Sequence, residues 1–387
     1  MTPPTTPGVV AVAPPSSRLG SVGVTTSART PTPGADPAAV GEWLATVLGD
    51  ERWSAAELAP IGAGRSNLTY RVDSPAGSVV LRRPPVGEVA ATAHDMGREQ
   101  RVIAALAGTG VPVPAVLATH DGTSPGPTDA PCFVMELVDG VVPLTDLPGG
   151  WAETEDDRRR AGEALVDVLA TLHAVDPAEV GLADFGRPDG FMERQIRRWG
   201  KQWAAARDGD DPVPVEESVE TDLTRLAERL AADVPATQRH TIVHGDYRLD
   251  NCVFDAADPG RVLAVLDWEM STLGDPLADV GLLLVYWKQA GDTGIWADAQ
   301  PLPGPTTLPG FPTRQELVAA YAARTGLDPA PLPWYVAFGA FKLAVVLAGI
   351  LARVRAGSVP AQMAEGLEGS VGPLVALGHH VLDGGRF

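Results

Sequence analysis

Apolar positions follow short strand-like runs before about residue 138 and mainly helical spacing after it. From Val40, the residues Trp43, Leu44, Val47 and Leu48 recur as one face of a short amphipathic helix. Leu58 to Val72 reads as strand, Gly-containing turn and strand, and Ser78 to Arg82 as a third strand. Asp95 to Leu106 has helical periodicity, with Met96, Val102, Ile103 and Leu106 apolar. Val111 to Pro114 turns into Val116-Leu117, and Cys132 to Leu137 reads as a buried strand ending in a linker at Val138-Asp139-Gly140. Past that linker, helices are predicted over Glu153 to His173, Asp222 to Leu230, Asp279 to Trp287, Thr313 to Thr325 and Trp334 to Val354. The Pro/Gly-rich stretch 298–312 reads as a surface loop beside the substrate end. The pattern predicts an α+β chain of two lobes: a small sheet-containing N-lobe over 38–138 and a larger, mainly helical C-lobe over 139–387. Residues 1–37, rich in Pro, Thr, Ser and Gly, are expected to be a disordered tail.

One interruption of the helical part carries chemistry. Cys252-Val253-Phe254 and Val262 to Leu266 are short apolar runs separated by Asp255 to Gly260, a segment with Pro and Gly where a tight reversal wants them. An antiparallel hairpin would bring Asn251, before its first strand, beside Asp267, after its second, with backbones about 5 Å apart. His244-Gly245-Asp246 would form the loop entering the hairpin. An Asp, an Asn five residues later and an Asp closing the next apolar run are the polar groups that phosphoryl transfer needs: one to face the attacking hydroxyl, two to hold metal beside the phosphates. Asp275 followed by Pro276 reads as a helix start, a mainly structural role. Asp279 is open between loop support and helix charge.

His244-Gly245-Asp246 with Asn251, Leu266-Asp267-Trp268-Glu269 and Gly274-Asp275-Pro276-Leu277-Ala278-Asp279-Val280-Gly281 resemble the signature of the aminoglycoside phosphotransferase and choline kinase-like group. Leu81 to Pro85, Ala93-His94-Asp95, Arg98-Glu99 and Met135-Glu136 are similar to a branch of kinase-like domains fused to acyl-CoA dehydrogenases in animals. The resemblance runs from about residue 40 to the C-terminus. It implies a protein-kinase-like two-lobe fold, with a small antiparallel sheet in the N-lobe, and an ATP-dependent small-molecule kinase with a hydroxyl acceptor. It further implies Asp246 as the catalytic group, Asn251 and Asp267 as Mg²⁺ ligands, and Met135, Glu136 and Leu137 as the hinge that meets adenine. Gly62, Gly64, Ser66 and Asn67 would form the phosphate lid. Arg82 stands where the kinase pattern has a lysine, with Glu99 as its expected partner; alternation points only one of Arg82 and Arg83 inward, and the motif selects Arg82. His244 is expected to support the loop, and Arg248 to balance carboxylates or meet phosphate. The implied acceptor is a hydroxyacyl-CoA or related hydroxy acid, with an aminoglycoside or amino-alcohol as the alternative. GTP in place of ATP stays open, as does a nucleotide-binding pseudokinase with a regulatory role, which the Arg82 departure suggests and the Asp246, Asn251 and Asp267 set opposes.

Composition narrows the partners. A net charge of −19 and a pI near 4.7 argue against a nucleic-acid partner. The acidic excess lies mostly beyond residue 138, where it either attracts cationic substrates or keeps the chain soluble. Cys132 and Cys252 both fall in apolar runs and read as reduced, buried thiols of a cytoplasmic protein. The apolar stretch Leu343 to Leu351 is too short to span a bilayer, and the N-terminus lacks a secretory core, so no membrane partner is expected. No segment ends in Gly-Lys-Ser/Thr, which argues against a P-loop site. Oligomeric state is unknown from sequence.

Overall fold

The computed structural model describes residues 32–61, 67–86, 95–123, 126–209, 212–213, 215–299, 304–359, 361–364, 366–367 and 369–386. The N-lobe is built on five antiparallel strands: β1 Glu57–Pro60, β2 Leu68–Ser74, β3 Gly77–Arg83, β4 Val116–His120 and β5 Cys132–Glu136. Their order is β1-β2-β3-β5-β4, which puts β3 at the centre. Because strand side chains alternate between faces, β3 serves two cores at once. Val79 and Leu81 pack with Tyr70, Val72 and Val134 under helix α1 (Pro37–Leu48), through its Val40 and Leu44. Val80 belongs with Phe133 and Met135 to the main core, as do Val102, Ile103 and Leu106 of α2 (Met96–Leu106).

Two expectations change here. The ordered chain begins before residue 38: Asp36 caps α1 by accepting from Ala38 N, and Tyr70 OH donates to Pro33 O at 2.7 Å. Arg83 is also buried, not exposed, because α1 and its leading segment cover the second sheet face. There Arg83 donates to the carbonyl of Gly34 and to Asp129.

The C-lobe starts with α3 (Glu155–Ala174), opened by a reciprocal capping box between Thr154 and Asp157. Then come α4 (Phe191–Asp208), α5 (Glu217–Ala232), strand β6 (Thr241–Val243) and the hairpin β7 (Cys252–Phe254) and β8 (Val262–Val265). Strand β9 (Thr272–Gly274) pairs antiparallel with β6. Helices α6 (Leu277–Tyr286), α7 (Ile295–Asp298), α8 (Arg314–Thr325), α9 (Leu332–Arg355) and α10 (Val371–Leu382) complete it. The described part of stretch 298–312 is less of a surface loop than expected. Pro305, Thr306 and Pro312 are buried or nearly so, and Trp287 Nε1 donates to Pro312 O at 2.8 Å.

Helix α9 is the axis of this lobe, packed by α4, α6 and α10. The stretch Leu343 to Leu351 is part of this 24-residue helix, which by length and composition could cross a membrane; 78% of its apolar window is buried inside the protein. Close approach to α6 depends on Gly281: a Cβ there would lie 2.4 Å from Tyr335 O, a rigid backbone atom. Gly281→Ala is therefore expected to cost about 1–3 kcal/mol, read as a lower denaturant midpoint. Cys132 and Cys252 are both buried and unpaired.

Candidate active site

Strand β6 delivers the chain into a tight loop, and two features fix the loop's shape. Gly245 sits at φ +85°, and a Cβ there would stand 2.6 Å from Met270 O, so geometry and space both demand glycine. Asp279, in the first turn of α6, accepts from His244 N at 2.7 Å with one oxygen and from Gly245 N at 2.8 Å with the other. His173 Nε2 donates to the same carboxylate at 3.2 Å, and its Nδ1 meets Tyr321 OH at 2.7 Å. Burial alone would raise the Asp279 carboxyl, but His173, His244 and the Gly245 N–H outweigh it and hold it below the ordinary range. Asp279 is thus a loop support.

His244 is completely buried. Asp246 N donates to its Nδ1 at 3.2 Å, so Nδ1 is the unprotonated nitrogen and Nε2–H donates to Leu266 O at 2.9 Å. Its ring packs on Trp268 at 4.6 Å. His244 therefore ties the loop to the far strand of the hairpin and cannot itself reach a substrate.

Asp246, by contrast, keeps 24% of its side chain exposed. Its Oδ2 accepts from Arg248 Nε at 3.3 Å and from Asn251 Nδ2 at 3.2 Å, and Asn251 Nδ2 also donates to Asp246 O at 2.8 Å. With its amide nitrogen committed, Asn251 has its carbonyl oxygen left to offer. Arg248 also binds Asp250 at 2.7 Å and lies 5.0 Å over the Tyr286 ring. Burial lowers the Arg248 pKa, but Asp246, Tyr286 and Asp250 more than reverse this, so the guanidinium stays charged.

The hairpin forms as its turn residues suggest. Cys252 pairs with Val265, and Leu266 N donates to Asn251 O at 2.8 Å, which carries the pairing up to Asp267. Asp267 has φ 65°, and Ala152 is the one other non-glycine residue at positive φ among the described residues. Such a conformation is costly for a side-chain-bearing residue and is found where a side chain must be aimed. What it meets is Arg82 of β3: Nη2 lies 2.9 Å from Asp267 Oδ1 and 3.1 Å from Glu99 Oε1 of α2. Asn67, where β2 begins, donates to Glu269 Oε2 at 2.9 Å. Met135 is buried at the end of β5, while Glu136 is exposed and donates from its backbone N to Ala115 O. Leu137 is partly buried against the main core. Gly62, Gly64 and Ser66 lie outside the described residues.

Among the described residues no three His, Cys, Asp or Glu side chains gather closely enough to hold a metal by themselves. Magnesium is ordinarily held by one or two protein oxygens together with substrate phosphates, and the oxygens of Asn251 and Asp267 suit such a hard cation. A cavity of about 670 Å³ opens between the start of α9 and the C-terminal segment, lined by Pro331, Trp334, Leu382 and Arg386 among others. None of the loop residues lines it, so chemistry rather than volume locates the site.

A model of the phosphotransferase enzyme family matches residues 57–332. The chain belongs to that family. It is 34% identical over 330 residues to acyl-CoA dehydrogenase family member 10 of Mus musculus, covering 84% of this chain and 29% of that protein. The crystal structure of a putative aminoglycoside phosphotransferase from Ralstonia eutropha is 31% identical, with a TM-score of 0.71 over 91% of this chain and 100% of that one. Choline kinase from Cryptosporidium parvum, 12% identical, shares the protein-kinase-like fold at a TM-score of 0.60, over 89% of this chain and 96% of that one. The chain spans about a third of the length of the curated relatives it matches. Its family activity is phosphoryl transfer to small molecules.

Within this phosphotransferase, the N-lobe charge cluster is out of balance. One guanidinium, Arg82, faces Glu99, Asp267 and Glu269. Burial pushes Glu99 up to about 7; Arg82 opposes the shift and the like charges of Asp267 and Glu269 add to it. A carboxyl raised on folding stabilises the protein most below its unfolded pKa, and that contribution disappears as pH climbs through the folded value. Between pH 5 and 7 the wild type should lose stability that Glu99→Gln does not, by up to about 1.4 kcal/mol per pH unit. Denaturant titrations of both proteins at pH 5, 6, 7 and 8 check this.

Lys342 of α9, just before the apolar stretch Leu343 to Leu351, also neighbours the loop, and no motif in the sequence singles it out. Its ammonium donates to Gly245 O, one residue before Asp246, and lies 5.5 Å from the Trp199 ring. The available signal is a lysine in the apolar body of a helix whose other charges, Arg353 and Arg355, sit in its last turn.

Proposed function

We propose that this phosphotransferase moves the γ-phosphoryl group of ATP to the hydroxyl of a hydroxyacyl-CoA or related hydroxy acid. Asp246 orients the acceptor hydroxyl and takes its proton as the oxygen attacks phosphorus and the bond to the ADP leaving oxygen breaks. Arg248 pairs with the Asp246 carboxylate, and the His244 and Asp279 contacts hold the loop in place. Arg82, anchored by Glu99, meets the nucleotide phosphates; its planar fork can grip two oxygens where a lysine would offer a point charge. Asn251 and Asp267 would hold Mg²⁺, which when bound neutralises charge on the phosphates. Glu136 and Leu137 offer backbone groups at the lobe junction to adenine.

The observation that carries this reading is the partly exposed Asp246 carboxylate joined to Asn251, with Arg82 spanning Asp267 and Glu99. The acyl-CoA part rests on the likeness to acyl-CoA dehydrogenase family member 10. ADP release should be followed with Mg-ATP and a panel of hydroxyacyl-CoAs, free hydroxy acids, aminoglycosides, amino-alcohols and sugars. Turnover at least about tenfold above the rest with hydroxyacyl-CoA or hydroxy acid is the expected result, a preference that one well-placed polar contact can supply. Preference for an aminoglycoside or amino-alcohol would replace the acceptor, and nucleotide binding with no turnover on any arm would favour the pseudokinase.

A further inference from the structure

Helix α4 departs from the rest of the molecule in charge. In a chain of net charge −19 it carries five basic and two acidic side chains. Arg194, Arg197, Arg198 and Lys201 follow at i, i+3, i+4 and i+7, the spacing that lines up one helix face. Arg194 is committed to the carbonyls of Asp189 and Arg187. Arg197, Arg198 and Lys201 are exposed and form no ion pair or hydrogen bond with the described residues. Arg225, Arg353 and Arg355 on other helices are exposed and unpaired among the described residues too, so what sets α4 apart is three such cations within five residues of one helix, whereas the arginines clustered on α3 are partnered. Arg159 pairs with Asp156 and Glu163, Arg160 with Asp157 and Asp258, and Arg207 with Asp208 at the end of α4 itself.

The unpaired stripe is linked to the catalytic loop. Trp199, buried beneath it, has Arg198 Cζ 5.6 Å from its ring centre and Lys342 Nζ 5.5 Å from the same ring. Lys342 in turn donates to Gly245 O. Positive groups thus run from the residue preceding Asp246 out along α4 to solvent. The indole N–H groups of Trp199 and Trp203 are buried without an acceptor among the described residues. Burial lowers the pKa of Lys342; Asp246 and Asp279 oppose the shift and the Arg198 charge adds to it.

We propose that the basic face of α4, joined to the catalytic loop through Arg198 and Lys342, holds the phosphate-bearing end of an acceptor of coenzyme A type. This rests on the reading of Asp246 as the group that faces the acceptor hydroxyl. Guanidinium groups match phosphate oxygens in pairs, and a positive strip on a negative molecule concentrates anions there. A polycationic acceptor would meet like charge along the same path.

The test separates this subsite from the activity. Coenzyme A is titrated calorimetrically into protein saturated with Mg-AMP-PNP, so that the nucleotide site is already filled. The wild type should bind it, Arg198→Ala and the Arg197→Ala/Arg198→Ala/Lys201→Ala triple variant should weaken binding at least about tenfold, and Arg198→Lys should recover most of it. The wild-type affinity should fall with added salt. In turnover, the ratio of kcat/KM for a hydroxyacyl-CoA over the same acyl group on pantetheine should fall at least about tenfold in the triple variant, a ratio that a general structural defect would not move. No coenzyme A binding to the nucleotide-saturated protein, or equal binding by wild type and triple variant, overturns the subsite. Binding that depends on Arg198 without ADP release from any acyl substrate upholds the subsite and overturns the proposed activity.

Discussion

Asp246→Asn should cut turnover by about 10²–10⁴-fold, the usual contribution of a positioned acid–base group, and leave nucleotide affinity within about threefold. The variant keeps the shape and the hydrogen-bonding oxygen but can no longer accept a proton. Its neighbours should stay in place, because the loop is fixed by the Asp279 bonds to His244 N and Gly245 N, not by the Asp246 side chain. In the proposed reading the nucleotide is held by Arg82 and the hinge, which Asp246 does not touch among the described contacts. ADP release measured beside a thermal-shift titration with Mg-ATP resolves the two quantities. Full turnover by the variant would remove Asp246 from the chemistry.

Asp279→Ala should have the largest effect on stability, a loss of about 3–5 kcal/mol, since it strips a buried charge from its partners. Two backbone N–H groups and the His173 imidazole would lose their common acceptor at one stroke. Asp279→Asn keeps one acceptor oxygen but puts an NH₂ against a donor, so it should fall between the wild type and Ala. Equilibrium denaturation of the three proteins at neutral pH measures the order. In the wild type, the share of stability due to the depressed Asp279 carboxyl is present above the unfolded aspartate pKa and is lost as pH falls below the ordinary aspartate range. A midpoint for Asp279→Ala equal to the wild type would show that other contacts hold the loop.

Much of the site was legible because its parts are close in sequence. The loop, the turn at 255–260 and the two apolar runs define a hairpin by local rules alone, and that hairpin carries Asn251 and Asp267. What supports the site was not legible, for the opposite reason. Asp279 is 35 residues from His244, His173 is 106 from Asp279, and Tyr321 is 148 from His173. No window on the sequence joins them. Helix α4 went unread because its buried side is made of Phe191, Ile196, Trp199 and Trp203 set among arginines, so the stretch looks polar throughout. Helix α10 was hidden by Gly372, Pro373 and Gly378, which ordinarily punctuate rather than build helices. Strand alternation by itself leaves one sheet face in water, and Arg83 is buried because α1, which that local rule does not place, covers it.

The ties between the lobes bear on the proposed nucleotide site. Arg82 of β3 reaches Asp267, and Asn67 reaches Glu269, so the N-lobe sheet is tied at two points to the segment that follows the hairpin. If the nucleotide phosphates meet Arg82 as proposed, they compete with Asp267 for it, and the affinity is the difference between the new grip and the one given up. Glu269→Gln, which weakens the Asn67 tie and leaves the Arg82 contacts with Glu99 and Asp267 in place, should on that reading tighten nucleotide binding instead of loosening it.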